Sequence, residues 1–448
     1  MNLIDKDLKY IWHPCSQMKD YEELKPIVIE RGEGIYLYDT HGNRYLDAIS
    51  SWWCNLFGHA NKRINNAIIN QINKIEHVIF ANFSNIPAIE LSERLVKITP
   101  EKLEKVFFAD NGSAAVEIAL KMSFHYHQQI GKAKKQKFVA ITDAYHGETL
   151  GALSVGDIDI YNKVYKPLMV DTYRVQGPDC YRCNYEKNRD SCNAECFKYM
   201  EELLANNHHE ISAVIIEPMV QGAAGMKIYS PKYLKSLRAL CDKYDINLIA
   251  DEIAVGYGRT GKMFACEYAE ISPDIMCLSK GLTAGYMPMS VVMTSNKLYN
   301  AFYGDYSEYK AFLHSHTYSG NAMGCAVALE VLKIFEEENI LDAINKKGKM
   351  LNEILLSELS GHQLIGEIRN IGLINAIELV SNKETKESFP SEKRVGYEIY
   401  KIALKKGVVL RPIGNCLYFN PPYIIEEGEM KEMVRVCKES LDEYILSI

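Results

Sequence analysis

Three charged residues of this sequence each stand at the end of a short apolar run. Glu217 follows "AVII", Asp251 closes "INLIAD", and Lys280 closes "DIMCLSK". Branched apolar residues bounded by polar or turn residues are typical of buried strands. The carboxyl ends of parallel strands face the ligand crevice of an open α/β sheet, so we expect these three side chains to converge there. A buried ion pair between strand ends would give the same pattern.

Two further segments offer groups that suit a phosphate and a flat ring. The stretch "FFADNGSAAVEIALKM" places Gly112 and Ser113 between a strand and an amphipathic helix, where free backbone N–H groups and the helix dipole favour an anion. The same residues are also ordinary helix-start chemistry. Tyr145 and His146 follow the next strand in "DAYHGETLGALS" and are candidates to stack on a ring, although an aromatic residue there often serves packing.

The lysine and the aspartate complete a recognisable chemistry. Lysine forms a Schiff base with a carbonyl compound and reacts as the neutral amine, which burial favours; Lys280 meets that demand. An aspartate facing a pyridine nitrogen keeps the nitrogen protonated and the ring electron-poor, and Asp251 meets this second demand. A phosphate cradle, a ring-stacking residue, an acid and a lysine together predict a site for pyridoxal phosphate.

Size and composition exclude several other classes of protein. A chain of 448 residues is too long for a single small hydrophobic core, so we expect two domains. No run is long enough for a membrane span, and the start carries acids and lacks a signal-peptide pattern, so we expect a cytoplasmic location. The net charge of −7 comes from 51 basic and 58 acidic residues mixed along the chain, which argues against a nucleic-acid partner.

The elements that must position these residues alternate between strand and helix. The first sixty residues predict a hairpin-like arm, and helical periodicity dominates from about Asn61 to Leu120. Strand and helix patterns then alternate, which predicts an α/β fold with a mainly parallel central sheet flanked by helices. After Asn321 a helical pattern leads into two further strand-like segments. We therefore expect an arm over 1–60, a large domain over 61–325 and a small α/β domain over 326–448, with the arm forming part of the small domain.

Several segments, in order over nearly the whole chain, resemble one enzyme family. They include "DNGSAAVEIALK", "IIEPMVQGAAG", "LIADEIAVGYGRTGKMFACE" and "HTYSGNAMGCA", and they are similar to the class III aminotransferases, which have fold type I and use pyridoxal phosphate. The stretches "IWHP", "SSWW" and "LRPIGNCLYFNPPYI" resemble the members that aminate 8-amino-7-oxononanoate to 7,8-diaminononanoate in biotin synthesis. This second likeness rests on fewer residues than the first.

The resemblance implies a role for each matching residue. It implies that Lys280 carries the cofactor and shuttles the proton, and that Asp251 pairs with the ring nitrogen. It also implies a homodimer with shared sites, because Thr317 would reach the phosphate of the neighbouring subunit. The implied cofactor-binding residues are Gly112, Ser113, Tyr145, Asp251, Lys280 and Thr317.

The substrate side of the site follows from the same resemblance. Trp52 and Trp53 would wall the pocket, and the bidentate fork of Arg411 would pair with a substrate carboxylate. Arg259 would lie near the substrate, unless it is a surface arginine in a Gly-rich loop. The implied substrate-binding residues are Trp52, Trp53, Tyr145, Arg259, Lys280 and Arg411.

Two departures from the family pattern leave alternatives open. The well-known members that use S-adenosylmethionine as amino donor have a tyrosine after "WHP", where this chain has Cys15. The resemblance at Trp52 and Trp53 still favours S-adenosylmethionine, with lysine as a second candidate donor. Other class III enzymes, such as acetylornithine, ω-amino acid or polyamine aminotransferases, would satisfy the same core motifs. A non-catalytic binding module whose Lys280 is structural is a rival from a different class.

A cluster of cysteines is the second departure. Cys180, Cys183, Cys192 and Cys196 fall in a polar insertion with C-x2-C-x8-C-x3-C spacing, which predicts a structural zinc site of four thiolates. The alternative is a loop of reduced thiols. Most of the other cysteines, such as Cys54, Cys241, Cys277 and Cys325, stand singly among apolar neighbours, so we expect no disulfide framework.

Overall fold

A computed structural model describes residues 1–447 of the chain. Several helices begin at a side-chain cap: Asn85 accepts the backbone N–H of Ala88, and Asn111 accepts that of Ala114. Over the described residues the α-helices are α1 (Leu3–Tyr10), α2 (Ser50–Trp53), α3 (Lys62–Ile72), α4 (Ile86–Ile98), α5 (Gly112–Gln129), α6 (Leu150–Ser154), α7 (Asp159–Asn162), α8 (Lys198–Asn207), α9 (Pro231–Tyr244), α10 (Asn296–Ala301), α11 (Ala322–Glu337), α12 (Ile340–Leu359), α13 (Val395–Lys405) and α14 (Glu427–Leu446).

The strands form one large sheet and three smaller ones over the same residues. They are β1 (Ile29–Glu33), β2 (Tyr36–Asp39), β3 (Arg44–Asp47), β4 (Lys105–Ala109), β5 (Lys137–Ile141), β6 (Thr172–Val175), β7 (Ile211–Ile216), β8 (Val220–Gln221), β9 (Lys227–Ile228), β10 (Asn247–Asp251), β11 (Ile275–Leu278), β12 (Ser290–Thr294), β13 (Ile365–Ile371), β14 (Ile374–Asn382), β15 (Glu387–Ser388), β16 (Val408–Val409) and β17 (Cys416–Phe419).

The large sheet has the strand order β4-β12-β11-β10-β7-β5-β6. Neighbouring strands from β11 to β6 are parallel, whereas β12 is antiparallel to both β11 and β4. The predicted α/β fold with a mainly parallel central sheet is confirmed. The sequence patterns missed β12, whose run "SVVMT" follows a segment rich in Gly, Pro and Met.

Helices cover the sheet because its central strands are buried on both faces. Every residue of β7 and β10 is buried, which explains why these strands read as unbroken apolar runs rather than alternating ones. Helix α5 packs Ile118 and Ala119 into one buried cluster with Ile215 of β7 and Ile249 of β10. This packing fixes the start of α5 beside the carboxyl ends of those strands.

The predicted hairpin-like arm is present as β1, β2 and β3, which pair in antiparallel order. Strand β3 also pairs in parallel with β16, through Leu46 with Val408 and Asp47 with Val409. The arm thus joins a strand from the C-terminal part of the chain. The domain limits 1–60, 61–325 and 326–448 stay a prediction. Within residues 1–447 no helix combines the length and the apolar character needed to cross a membrane.

Candidate active site

The carboxyl ends of β10 and β11 bring the aspartate and the lysine to one place. Asp251 is the last residue of β10 and pairs in register with Cys277 of β11, and Lys280 follows three residues later. Lys280 opens a 3₁₀ turn over Lys280–Thr283 with a φ of 42°. A non-glycine residue in this left-handed region is uncommon and concentrates at functional sites. The turn directs the lysine into the crevice at the end of the sheet.

The amine of Lys280 lies against an aromatic face. Its Nζ is 4.6 Å from the ring centroid of Trp53, and among residues 1–447 it has no hydrogen-bond partner. Burial lowers the pKa of this lysine, although the carboxylates of Asp251 and Glu217 raise it in part. A lowered pKa increases the fraction of neutral amine, which is the form that attacks a carbonyl carbon.

The carboxylate of Asp251 is held by two donors. Its Oδ2 is 2.7 Å from Nδ1 of His146, and its Oδ1 accepts the backbone N–H of Ile253 at 3.1 Å. Within the described chain, Nε2 of His146 is buried without a partner. The contact with the carboxylate requires the Nδ1 atom of His146 to carry a proton, so the histidine fixes the orientation of the acid. Its spacing in the sequence gives no sign of this pairing.

Glu217 is a further buried acid at the end of β7. Its two carboxylate oxygens accept the backbone N–H groups of Tyr145 at 3.1 Å and Gly222 at 2.9 Å. Burial raises the pKa of Glu217 to about 7, and Asp251 adds to that rise. The sequence placed Glu217 at a strand end but gave it no role. The structure gives it one, because it fixes the backbone of Tyr145.

The start of α5 forms a cradle with free donors. The side chain of Asn111 accepts the N–H of Ala114, and within residues 1–447 the N–H groups of Gly112 and Ser113 have no partner in the first turn. The hydroxyl of Ser113 accepts the N–H of Glu148 at 3.1 Å. A Cβ added to Gly147 would lie 2.0 Å from that hydroxyl oxygen, so only glycine fits there. These groups suit the phosphate for which the sequence predicted Gly112 and Ser113.

Tyr145 stands between this cradle and a second tyrosine. Its hydroxyl donates to Oε1 of Glu148 at 3.0 Å, and its ring centroid is 5.5 Å from that of Tyr161. The hydroxyl of Tyr161 in turn lies 3.4 Å from Sγ of Cys15. Tyr161 is not among the residues predicted from the sequence, because the segment around it, "DIDIYNKVY", carries no motif.

The paired tryptophans lie on a left-handed turn. All four residues of α2, Ser50–Trp53, have positive φ angles between 45° and 76°. Asp47 holds the turn, because its carboxylate accepts both the N–H and the hydroxyl of Ser51. The turn points the two rings to different neighbours: Trp53 is buried against Lys280, while Trp52 is 45% exposed. Such strain persists only where the surroundings hold it in place.

Arg411 lies at the open end of this aromatic wall. Its guanidinium carbon is 4.8 Å from the ring centroid of Trp52, and its Nη2 donates to the backbone carbonyl of Cys15 at 2.9 Å. Among residues 1–447 no carboxylate forms an ion pair with this arginine. The remaining N–H groups of the fork are therefore available to an anionic ligand.

Arg259 lies behind the wall rather than at the surface. It is 1% exposed, and its two Nη atoms donate to the backbone carbonyls of Trp53, Asn55, Asn420 and Pro421. A surface arginine in a Gly-rich loop is therefore excluded. The guanidinium ties the tryptophan turn to the C-terminal part of the chain, and its predicted contact with substrate stays a prediction.

Over residues 1–447, no hydrogen bond joins the side chain of Thr317 to the other predicted residues. It is exposed in a turn that follows His316, whose Nδ1 lies 2.9 Å from Oδ2 of Asp110. The predicted role of Thr317, reaching the phosphate of a neighbouring subunit, stays a prediction.

The four clustered cysteines lie apart from this site and line one small cavity with Tyr233. Burial raises the pKa of Cys180 to about 12 and that of Cys196 to about 11. Over the described residues, no group of three or more His, Cys, Asp or Glu side chains is arranged to hold a metal ion. The predicted zinc site is not supported, and all the cysteines are free thiols.

The residues at the sheet edge fit pyridoxal phosphate. The unpaired N–H groups of Gly112 and Ser113 and the space kept open at Gly147 suit a phosphate. The fixed carboxylate of Asp251 suits a protonated ring nitrogen, and the unpartnered amine of Lys280 suits an aldehyde.

Comparison with known proteins gives the same assignment. The family model for aminotransferase class-III matches residues 17–441. A curated relative from Helicobacter pylori, named adenosylmethionine-8-amino-7-oxononanoate aminotransferase, is 46% identical over 447 residues, covering 99% of this chain and 98% of the relative.

Solved structures agree over the same length. The crystal structure of adenosylmethionine-8-amino-7-oxononanoate aminotransferase from Methanocaldococcus jannaschii superposes with a TM-score of 0.93 and 42% identity, covering 98% of each chain. An omega transaminase from Pseudomonas jessenii in complex with PMP superposes with a TM-score of 0.95 and 32% identity, covering 100% of this chain and 99% of that one. The chain belongs to the class III aminotransferase family, a group of pyridoxal-phosphate enzymes with fold type I.

Proposed function

We propose that this enzyme transfers an amino group to 8-amino-7-oxononanoate and forms 7,8-diaminononanoate for biotin synthesis. The observation that carries the proposal is the paired-tryptophan turn. The ring of Trp53 faces the amine of Lys280 at 4.6 Å, and the adjacent ring of Trp52 faces the guanidinium of Arg411 at 4.8 Å. An apolar wall thus separates a carbonyl-reactive amine from a carboxylate anchor. This keto acid has the matching layout, with a ketone and a carboxylate at opposite ends of a methylene chain.

Each residue has a task in this chemistry. When bound, pyridoxal phosphate supplies a store for the donor's amino group between two half-reactions. Lys280 would hold the cofactor and then carry the proton between the reacting carbons, since its amine lies free at the end of the sheet. Asp251, fixed by His146, would keep a proton on the ring nitrogen. Arg411 and Trp52 would hold the remote tail, so that the ketone stands at the reacting position.

The amino donor that we propose is S-adenosylmethionine. Three relatives that are 39%, 44% and 46% identical to this chain are each named adenosylmethionine-8-amino-7-oxononanoate aminotransferase. The cysteine at position 15 keeps lysine as the second candidate, since it removes a hydroxyl that the resemblance leads one to expect. Donor choice is therefore the part of the proposal to be tested first.

A more general class III activity is the second candidate. The structural likeness to the omega transaminase is as strong as that to the biotin enzyme, but its sequence identity is lower, 32% against 42%. The wall between Lys280 and Arg411 favours a substrate with a distant carboxylate over a simple amine.

We further propose a homodimer in the cytoplasm, with Thr317 of each subunit completing the phosphate site of the other.

Two half-reactions test the function directly. Holoenzyme mixed with S-adenosylmethionine, or in parallel with lysine, should lose the cofactor's visible absorbance with the true donor only. Enzyme in the pyridoxamine phosphate form should then regain that absorbance with 8-amino-7-oxononanoate and release 7,8-diaminononanoate, identified by mass spectrometry. If the donor bleaches the absorbance but 8-amino-7-oxononanoate does not restore it, the enzyme has a different activity within the family. A spectrum that no donor changes would support the non-catalytic module instead.

A further inference from the structure

Tyr161 carries a hydroxyl at the substrate end of the site that none of the predicted roles uses. It lies in α7 and is half-buried, with its ring against that of Tyr145 at a centroid distance of 5.5 Å. Within residues 1–447 the partner of its hydroxyl is Sγ of Cys15 at 3.4 Å. A thiol is a weak donor and a weak acceptor, so this contact leaves the hydroxyl free to exchange its partner for a stronger one.

Cys15 places this hydroxyl next to Arg411. Its side chain contacts the hydroxyl of Tyr161, while its backbone carbonyl accepts the N–H of Nη2 of Arg411 at 2.9 Å. The two donor groups therefore flank a single small residue. Cys15 has a φ of 51°, so its backbone is held in the left-handed region while making both contacts.

The charges around Tyr161 favour a hydrogen bond from its hydroxyl to an anion that Arg411 also binds. Burial raises the pKa of Tyr161, so the hydroxyl keeps its proton and can donate it in a hydrogen bond. Arg411 is near enough to oppose that rise, and it supplies the positive charge for a carboxylate. Glu148 is the acid on the same side, and its Oε1 is already hydrogen-bonded to the hydroxyl of Tyr145.

We propose that Tyr161 is a second anchor for the substrate carboxylate, donating its hydroxyl to one oxygen while Arg411 binds the other. A carboxylate has about four lone-pair sites, so a tyrosine hydroxyl and a guanidinium fork can be accepted together. The role rests on the proposed function, since it presumes a substrate with a distal carboxylate.

The test measures binding rather than turnover. Isothermal titration of the holoenzyme with 7-oxononanoate, and with octan-3-one as the same ketone without the carboxylate, separates the contribution of the acid. Tyr161→Phe removes the hydroxyl alone and should weaken binding of 7-oxononanoate by about 10- to 100-fold, the range for a hydrogen bond to a charged group. Binding of octan-3-one should not change. Tyr165→Phe is the matched control, because this residue is exposed on the same segment, and it should bind both compounds like wild type.

A second variant separates anchoring from a structural role. Tyr161 could instead serve only to hold the N-terminal segment through Cys15. In that case Cys15→Ala would weaken the binding of 7-oxononanoate as much as Tyr161→Phe does. The proposal requires that Cys15→Ala retain wild-type affinity for 7-oxononanoate. Three results would each overturn the proposal. The two variants could lose equal affinity for 7-oxononanoate, or Tyr161→Phe could bind it as wild type does. Alternatively, wild type could bind 7-oxononanoate no better than octan-3-one. The proposed function is tested separately. If wild type aminates 8-amino-7-oxononanoate but Tyr161→Phe binds 7-oxononanoate normally, the anchoring role of Tyr161 is wrong and the proposed function stands.

Discussion

Asp251 and His146 form a fully enclosed pair, with 2.7 Å between Oδ2 of the acid and Nδ1 of the ring. The side chains are 5% and 0% exposed respectively, so neither exchanges its partner for water. A charged acid in such a place is stable only with fixed partners. The pair therefore presents one carboxylate, in one orientation, to whatever binds at the end of β10.

Replacing this acid by its amide tests what the charge does. Asp251→Asn keeps the size of the side chain but removes the charge that would hold a proton on the ring nitrogen. We expect the variant to retain bound cofactor and to lose roughly 10²- to 10⁴-fold in the donor half-reaction. Stopped-flow absorbance gives the rate, and cofactor content is measured after denaturation. His146→Gln, which removes only the orienting partner, should lose less. Near-normal rates in Asp251→Asn would contradict the role.

Lys280 is expected to be the residue that binds the cofactor covalently. Its amine lies free in the crevice, and burial lowers its pKa, so the neutral nucleophile is available. Lys280→Ala should lose the visible absorbance of the bound cofactor and nearly all turnover. Borohydride reduction followed by peptide mapping should label position 280 in wild type and in Lys262→Ala, a control at an exposed lysine of the nearby Gly-rich loop. A labelled peptide at the same place in Lys280→Ala would disprove the assignment.

The sequence predicted the main parts of this site because strand ends and helix starts have local signatures. The runs before Asp251 and Lys280 are strands β10 and β11, and the run before Ser113 leads into the cradle of α5. Parallel pairing alone then brings these positions to one edge. Residues within these segments were therefore found without knowledge of tertiary contacts.

Other features depend on contacts between distant parts of the chain and left no local pattern. The partner of Asp251 is 105 positions away, and Tyr161 meets Cys15 across 146 positions. Arg259 lies in a Gly-rich loop that resembles a surface turn, yet it is buried, and four carbonyl groups from two separate segments accept its N–H groups. The cysteine spacing resembled a metal site, but spacing does not fix where the thiols point.

Glu217 gives a prediction for the pH dependence of stability. Burial raises its pKa from 4.5 to about 7, so over this interval the folded chain binds a proton that the unfolded chain has released. Stability therefore falls as pH rises through the interval, and the full cost of about 3 kcal/mol is present above pH 7. Glu217→Gln is neutral at every pH and escapes this cost.

Urea denaturation of apoprotein at pH 5, 6, 7 and 8 measures the effect. The apparent free energy of unfolding of Glu217→Gln, relative to wild type, should rise by about 2.5 kcal/mol between pH 5 and pH 8. Glu252→Gln should shift in the same direction, since burial also raises the pKa of Glu252 to about 7. A difference that stays constant with pH would show that Glu217 keeps its charge in the folded protein.

Arg411 is the residue that we propose to anchor the carboxylate of the substrate. Its guanidinium lies on the ring of Trp52 with most of its N–H groups unpaired in the described chain, so a substrate carboxylate would supply the missing partner. Binding at this remote anchor positions the ketone, so its loss should impair the second half-reaction. We expect Arg411→Ala to lose roughly 2 to 4 kcal/mol in kcat/KM for 8-amino-7-oxononanoate, the range for truncating one partner of a buried charge pair.

Single-turnover kinetics of the pyridoxamine phosphate form should show where that loss arises. The acceptors are 8-amino-7-oxononanoate and 2-aminooctan-3-one, which has the same reacting end and no carboxylate. Wild type should strongly prefer the acid, and Arg411→Ala should not. Arg411→Lys keeps the charge without the bidentate fork, so its preference for the acid should lie between those of wild type and Arg411→Ala. Arg394→Ala is the control, because this arginine is already paired with Asp20 and should leave the preference unchanged. An equal preference for the acid in wild type and Arg411→Ala would remove Arg411 from the site, and with it the strongest structural reason for choosing the biotin pathway.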